Sequence, residues 1–289
     1  MQKALVLGGA TGLLGQALVA VLNKSQNWQV ESLGRSDCNI FDEPTLAAFL
    51  KDHQPDVVFN TVAWTQVDDA EDHPEEALKV NASFPGMLAR LLAQTSCFLL
   101  HFSTDFVFGL HNQHQPLSET DSPVPESVYG STKLAGEQAI LQILPKQSAI
   151  LRTAWLFGPW KKNFITTILQ LAHKKKQLSV VADQYGSPTY TLDLARWSAV
   201  IAEKRAHGLF HAVNAGQASW FAFAAKAIEL AHVDCTIQPI TSDEWPQKAK
   251  RPKYSVLSTA KLASVLGKSA FPVRPWEEAL TEYLSQYQV

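Results

Sequence analysis

The chain has 289 residues, 46% of them hydrophobic, enough to bury a substantial core in one large domain or two smaller ones. Its 25 Lys and Arg against 27 Asp and Glu leave a formal charge of −2, which excludes a broad positive field for gathering nucleic acid. No segment approaches about 20 uncharged apolar residues, and glycines interrupt MQKALVLGGATG too early for a secretion signal, so no membrane insertion is expected and a cytoplasmic location follows by default.

Through the first half, short β-rich runs alternate with helical patterns. KALVLG predicts a strand, residues 13–22 a helix, WQVESLG a strand, residues 45–51 a helix and DVVFN a strand. Residues 74–92, with leucines at 88, 91 and 92, read as one long helix, CFLLHFS as a buried strand, 128–144 as a helix and SAILRTAWLF as a strand. Such alternation belongs to βαβ units, and it predicts an α/β fold with a doubly wound, Rossmann-type parallel sheet. After Phe157 the pattern loosens into a helix over 163–176, a loop DQYGSPTY, a helix over 192–204, a strand GLFHAVN, a helix over 220–232 and the proline-marked TSDEWPQKAKRPKYS. A Rossmann domain over 1–157 and a smaller α/β substrate-binding region over 158–289 are therefore expected. No Gly/Ser-rich linker separates them, so the two should interleave. The run Lys174 to Lys176 fits a solvated helix face, and the widely spaced Cys38, Cys97 and Cys235 predict buried thiols rather than a disulfide or zinc framework.

The first strand runs directly into GATGLLG, which puts Gly9, Gly12 and Gly15 between strand and helix. Without Cβ atoms the chain can turn tightly, bring backbone N–H groups to a pyrophosphate and pack the helix on the strand. The helix N-terminus adds partial positive charge. The spacing departs from G-x-G-x-x-G, yet the strand before and the helix after favour dinucleotide binding over a purely structural turn. Many NAD-binding folds end the second strand with an acidic residue for the ribose 2′-hydroxyl. Here Arg35 follows that strand, and a guanidinium suits a 2′-phosphate, so NADPH is expected, with NADH as the alternative. Asn39 and Ile40 are expected near the adenine, a plain turn being the other reading of Asn39.

VYGSTKLAGE holds Tyr129 and Lys133 four residues apart, which a helix places on one face. An ammonium beside a phenol lowers its pKa and lets it move a proton near neutrality. The strand end HFST supplies the hydroxyls of Ser103 and Thr104, and a carbonyl oxygen held between Thr104 and Tyr129 is polarised for hydride attack.

With these features in hand, the chain resembles the extended short-chain dehydrogenase/reductase superfamily and, within it, the dTDP-4-dehydrorhamnose reductase family. The resemblance covers almost the whole length. It rests on GGATGLLG, NTVAWTQVDDAE, NASFPGMLA, STDFVFG, PLSETDSPVPESVYGSTKLAGE, LRTAWLFG, DQYGSPTYTLDLA and KRPKYSVL. It implies Tyr129 as proton donor, Lys133 as its electrostatic partner and holder of the nicotinamide ribose, and Thr104 as second donor to the substrate oxygen. The implied reaction is hydride transfer to C4 of dTDP-4-dehydro-β-L-rhamnose, without a metal. The expected cofactor site comprises Gly9, Gly12, Leu13, Leu14, Gly15, Arg35, Asn39, Ile40 and Ala63 together with Tyr129 and Lys133. The partner implied is a nucleotide sugar, and a homodimer is allowed.

Family members usually carry tyrosine after the Thr-Asp pair, where this chain has Phe106, so a hydroxyl that contacts the sugar is missing. Related 4,6-dehydratases carry a proton-abstracting glutamate there, a role Phe106 cannot fill. Epimerases fit the remaining motifs less well. Substrate contacts are expected from Thr104, Asp105 and Phe106, from Trp155 by stacking, from Asn163 by hydrogen bonding and from Arg251 on the diphosphate. The competing readings are core packing for Trp155, a helix N-cap for Asn163 and a surface charge for Arg251. Asp68, Asp69 and Glu71 read as solvated or capping groups. The histidines at 101, 111, 114, 207 and 211 include H-x-x-H and H-x-x-x-H spacings, but no third ligand accompanies them and no metal is expected. A rival reading is a regulatory subunit that binds NADP without turnover, since the β subunit of methionine adenosyltransferase resembles these reductases.

Overall fold

Six parallel strands form the centre of the molecule, which the computed structural model describes over residues 1–34, 37–109 and 115–286. The first half runs β1 (Gln2–Leu7), α1 (Leu13–Leu22), β2 (Trp28–Leu33), α2 (Glu43–His53), β3 (Val57–Asn60), α3 (Val67–Ala70), α4 (Pro74–Leu78), a π-helical turn Lys79–Ser83, α5 (Phe84–Leu92), β4 (Phe98–Thr104), α6 (Val128–Ile143) and β5 (Ser148–Thr153). The second half adds β6 (Leu156–Phe157), α7 (Phe164–Ala172), β7 (Gln177–Val181), β8 (Tyr185–Gly186), β9 (Thr189–Tyr190), α8 (Thr191–Glu203), β10 (Gly208–His211), β11 (Ala218–Ser219), α9 (Trp220–Leu230), β12 (Thr236–Ile240), α10 (Ala260–Leu266) and α11 (Trp276–Gln286).

The large sheet has the order β10-β5-β4-β3-β1-β2. Side chains alternate across it, so Val6, Phe59, Leu100 and Leu151 face one cluster with α1 and α8, while Leu7, Val58, Leu99 and Ile150 face another with α5 and α6. Both faces are covered, which is why the strands read as continuous apolar runs. The winding reverses between β1 and β3, and ligands of open α/β sheets lie beyond the carboxyl ends of strands at such a point. Thr61 follows β3 there and donates to the Leu7 carbonyl at 2.7 Å.

Several elements differ from the sequence expectation, each for a local reason. The run SAILRTAWLF breaks after Thr153, because Trp155 adopts φ 47°, strained for a non-glycine residue, and β6 leaves the large sheet to pair with β9. The expected loop DQYGSPTY thus carries both β8 and β9, short strands whose partners are distant in sequence. The long helix over 74–92 is three segments, with a π turn between α4 and α5. Strands β7 and β12, paired in parallel, and helices α10 and α11 carry no counterpart in the sequence reading. Cys97 is buried as expected, whereas Cys38 and Cys235 are partly exposed; all three are free. No helix among the described residues is long and apolar enough to cross a membrane.

Candidate active site

The glycine turn is held by close approaches rather than by side chains. Gly8 adopts φ +82°, and a Cβ there would lie 2.7 Å from Thr61 Oγ1. A Cβ on Gly12 or Gly15 would lie 2.9 or 2.3 Å from the Gly8 carbonyl oxygen, and one on Gly9 would meet Ser32 Cβ at 2.8 Å. Gly8 was not singled out from the sequence, although the Gly-Gly pair at the strand end was a signal for it. Gly12 is the N-cap of α1, which has no side-chain cap and no acidic residue in its first turn, where Leu13 and Leu14 lie. That leaves a concave, partially positive backbone surface suited to a diphosphate. Ala63 sits between Thr61 and Trp64, whose N–H donates to Asn81 Oδ1 at 2.9 Å. Asn39 is exposed in a turn and accepts from the Phe41 N–H, and Ile40 packs on the α2 side of the core. Arg35, His111 and His114 lie outside the described residues. Among the described residues no three His, Cys, Asp or Glu side chains gather as for a metal.

Helix α6 carries Tyr129 and Lys133 to the carboxyl end of β4. Ser127 caps it, accepting from the Gly130 N–H, while Glu71 accepts from the Val128 N–H. Glu71 is thus a capping group, as one sequence reading held. Gly130 and Gly136 let the helix approach closely, since Cβ atoms there would lie 2.3 Å from the Phe106 carbonyl and 2.1 Å from the Asn81 carbonyl. The Thr104 hydroxyl lies close enough to the Tyr129 phenol to act on it. Burial pushes the phenol up to about 12, Asp105 adds to the rise and Thr104 opposes it. Lys133 is buried, with Nζ donating to the Phe102 carbonyl at 2.6 Å and 3.2 Å from His101 Nε2. Its hydrogen-bond partners are therefore on β4, and burial raises the phenol where the sequence reading expected a neighbouring ammonium to lower it. Burial also lowers Lys133 itself to about 8, against the pull of Glu137.

Phe106 lines a cavity of about 410 Å³ together with Asp105, Trp155, Trp220 and Arg251, among others. Phe106 packs edge-on to Tyr129 at 5.5 Å, and the Arg251 guanidinium lies 5.8 Å from the Phe106 ring. Trp155 stacks on Trp220 at 3.6 Å, and Gly186 makes room for its ring, since a Cβ there would lie 2.5 Å from it. Arg251 also pairs with Asp68 at 2.8 Å. Asp105 accepts from Ser255 Oγ at 2.6 Å and from Thr104 at 3.2 Å, and burial raises it to about 6. Asn163 stands apart as the N-cap of α7, accepting from the Ile165 and Thr166 N–H groups and donating to the Gly158 carbonyl. Sequence reasoning missed Ser255 and Trp220, which reach the cavity from distant segments, and Asn60, whose polarity at the end of an apolar strand was the available signal.

The matched family model describes this architecture from end to end: residues 2–289 fit the RmlD substrate binding domain. The chain belongs to that family. A dTDP-4-dehydrorhamnose reductase of Mycolicibacterium smegmatis is 40% identical over 285 residues, covering 98% of this chain and 85% of that protein. A crystal structure of a dTDP-4-dehydrorhamnose reductase from Clostridium acetobutylicum superposes with TM-score 0.93 at 35% identity, covering 99% of this chain and 100% of that one. The Bacillus anthracis dTDP-4-dehydrorhamnose reductase, solved in complex with NADP, superposes with TM-score 0.92 at 29% identity over 99% of both chains. An RmlD-family chain with this glycine cradle has the donor set that a dinucleotide diphosphate needs, backbone N–H groups and no competing carboxylate.

Proposed function

We propose that the chain reduces the C4 carbonyl of dTDP-4-dehydro-β-L-rhamnose with NADPH, giving dTDP-β-L-rhamnose. The observation that carries the reading is the meeting of the Tyr129 and Thr104 hydroxyls behind Phe106 and Asp105, which line an aromatic cavity. Gly9, Gly12, Leu13, Leu14 and Gly15 hold the cofactor diphosphate through backbone N–H groups, Arg35 reads its 2′-phosphate, and Asn39, Ile40 and Ala63 flank it. When bound, the reduced nicotinamide supplies a hydride to the carbonyl carbon. Tyr129 keeps its proton throughout the working pH range, because its pKa is high, and gives that proton to the oxygen as negative charge develops there. Thr104 donates a second hydrogen bond to the same oxygen. Lys133, once charged, stabilises the phenolate left behind. Trp155 and Phe106 offer ring faces to the sugar, Asp105 accepts from its hydroxyls and Arg251 pairs with the substrate diphosphate in exchange for Asp68. A cytoplasmic location and a homodimer accompany this reading.

The test is NADPH oxidation followed with dTDP-4-dehydro-L-rhamnose as substrate. Tyr129→Phe is expected to lower turnover by about 10²- to 10⁴-fold while NADPH affinity stays unchanged. Near-normal turnover in that variant sinks the role of Tyr129. A native protein that binds NADPH and never turns over favours the regulatory-subunit reading.

A further inference from the structure

A buried polar chain runs beneath α6, and the reaction as written leaves most of it unused. Asn60 and His101 face each other in register on β3 and β4, both fully buried. Asn60 Oδ1 accepts from the Val62 N–H at 3.1 Å, which presents the amide Nδ2 to His101 Nδ1 at 3.0 Å. An amide nitrogen has no lone pair to offer, so Nδ1 is the acceptor and the neutral imidazole carries its one proton on Nε2. That proton is directed at Lys133 Nζ, 3.2 Å away. An unprotonated amine accepts it through its lone pair, whereas an ammonium has none. The amine keeps two further donors, one of which serves the Phe102 carbonyl at 2.6 Å.

We propose that His101, its tautomer fixed by Asn60, is a positioning residue that docks the unprotonated amine of Lys133 on β4 in the ligand-free chain. Placing an ammonium in this buried position without a charged partner of its own is costly. The titratable groups facing Lys133 are His101 from β4 and Glu137 from α6, and Glu137 already binds the Arg152 guanidinium of β5 in a bidentate pair. His101 itself stays uncharged, because burial holds it well below the usual histidine range. An amine that leaves His101 for a ligand hydroxyl is then free to take up a proton from solvent. That last consequence rests on the reductase reading; the docking does not.

The experiment reads both residues in the whole ligand-free protein by NMR, with ¹⁵N-labelled histidine and ¹³C-labelled lysine, Lys133 being assigned by its loss in Lys133→Gln. The expected result, on the alkaline side of the Lys133 titration, is a His101 ring with Nδ1 bare and Nε2 protonated. The opposite tautomer, or an imidazolium, overturns the proposal. Asn60→Asp keeps the acceptor for Val62 but removes the donor to Nδ1, forcing the proton onto Nδ1 and turning Nε2 into an acceptor for an ammonium. The Lys133 titration midpoint is then expected to rise by about one pH unit, a tenfold change. A midpoint that stays put while the tautomer flips also overturns it. Both readouts are independent of turnover, so a failure of the reductase assay leaves them intact and their failure leaves the Tyr129 test intact.

Discussion

Asp105 is 2% exposed and titrates near 6, because burial outweighs the hydrogen bonds from Ser255, Thr104 and the Phe106 N–H. An unfolded aspartate titrates near 3.9, so between about pH 4 and 6 the folded chain holds a proton that the unfolded chain has released. The folded pKa is raised, and the stability contribution of this group is therefore largest below pH 4 and is lost as pH rises to about 6. The difference amounts to about 3 kcal/mol at most. Asp105→Asn should remove it: relative to the native chain, the variant gains stability between pH 4 and 7 by up to that amount. Urea unfolding at a series of pH values measures the separation, and a constant gap across the range contradicts the assignment. At this scale Tyr129, Lys133 and Thr104 were legible because hydroxyl and amine sit at motif spacings. Neither the Ser255 contact nor the docking of Lys133 on His101 was, since each joins residues whose distance in sequence carries no periodic signal.

Helix α6 owes its close approach to its neighbours to two glycines. A Cβ on Gly136 would lie 2.1 Å from the Asn81 carbonyl in the π turn, a backbone atom that cannot swing aside. Gly136→Ala is thus expected to push α6 off the turn, cost about 1–3 kcal/mol and lower turnover, since Tyr129 and Lys133 ride on the same helix. Thermal unfolding together with the reductase assay checks this; an unshifted Tm shows that the helix can move freely. The helix itself was readable from its pattern, as were β1 to β4 and α1. The π turn was not, because one extra residue per turn changes no residue type: Asn81 looks like any helical asparagine, yet its side chain bridges the Trp64 backbone and Thr132. Strand β12 escaped notice for a different reason. Thr236–Ile240 is mostly exposed and contains Pro239, and its identity as a strand comes only from pairing with β7.

Across the whole molecule, the two halves share one sheet and one core. Strand β10 lies against β5, α8 packs on α1, and three ion pairs tie the 248–251 segment to the first half: Lys248 to Asp72, Lys250 to Glu126 and Arg251 to Asp68. Arg274 adds a bidentate pair with Asp193 that fastens the start of α11 to α8. The sequence boundary after Phe157 marks where the βαβ rhythm stops, but a rhythm says nothing of which later strand returns to the sheet. We expect residues 1–157 expressed alone to leave Val6, Phe59, Leu100 and Phe102 without the cover of α8, an apolar face too large to stay in water. Such a fragment should bind hydrophobic dyes and unfold without a sharp transition, whereas the full chain unfolds in one step by both circular dichroism and tryptophan fluorescence. A fragment that melts cooperatively and binds NADPH would show instead that the nucleotide half is an autonomous domain, with the ion pairs and β10 as later reinforcement.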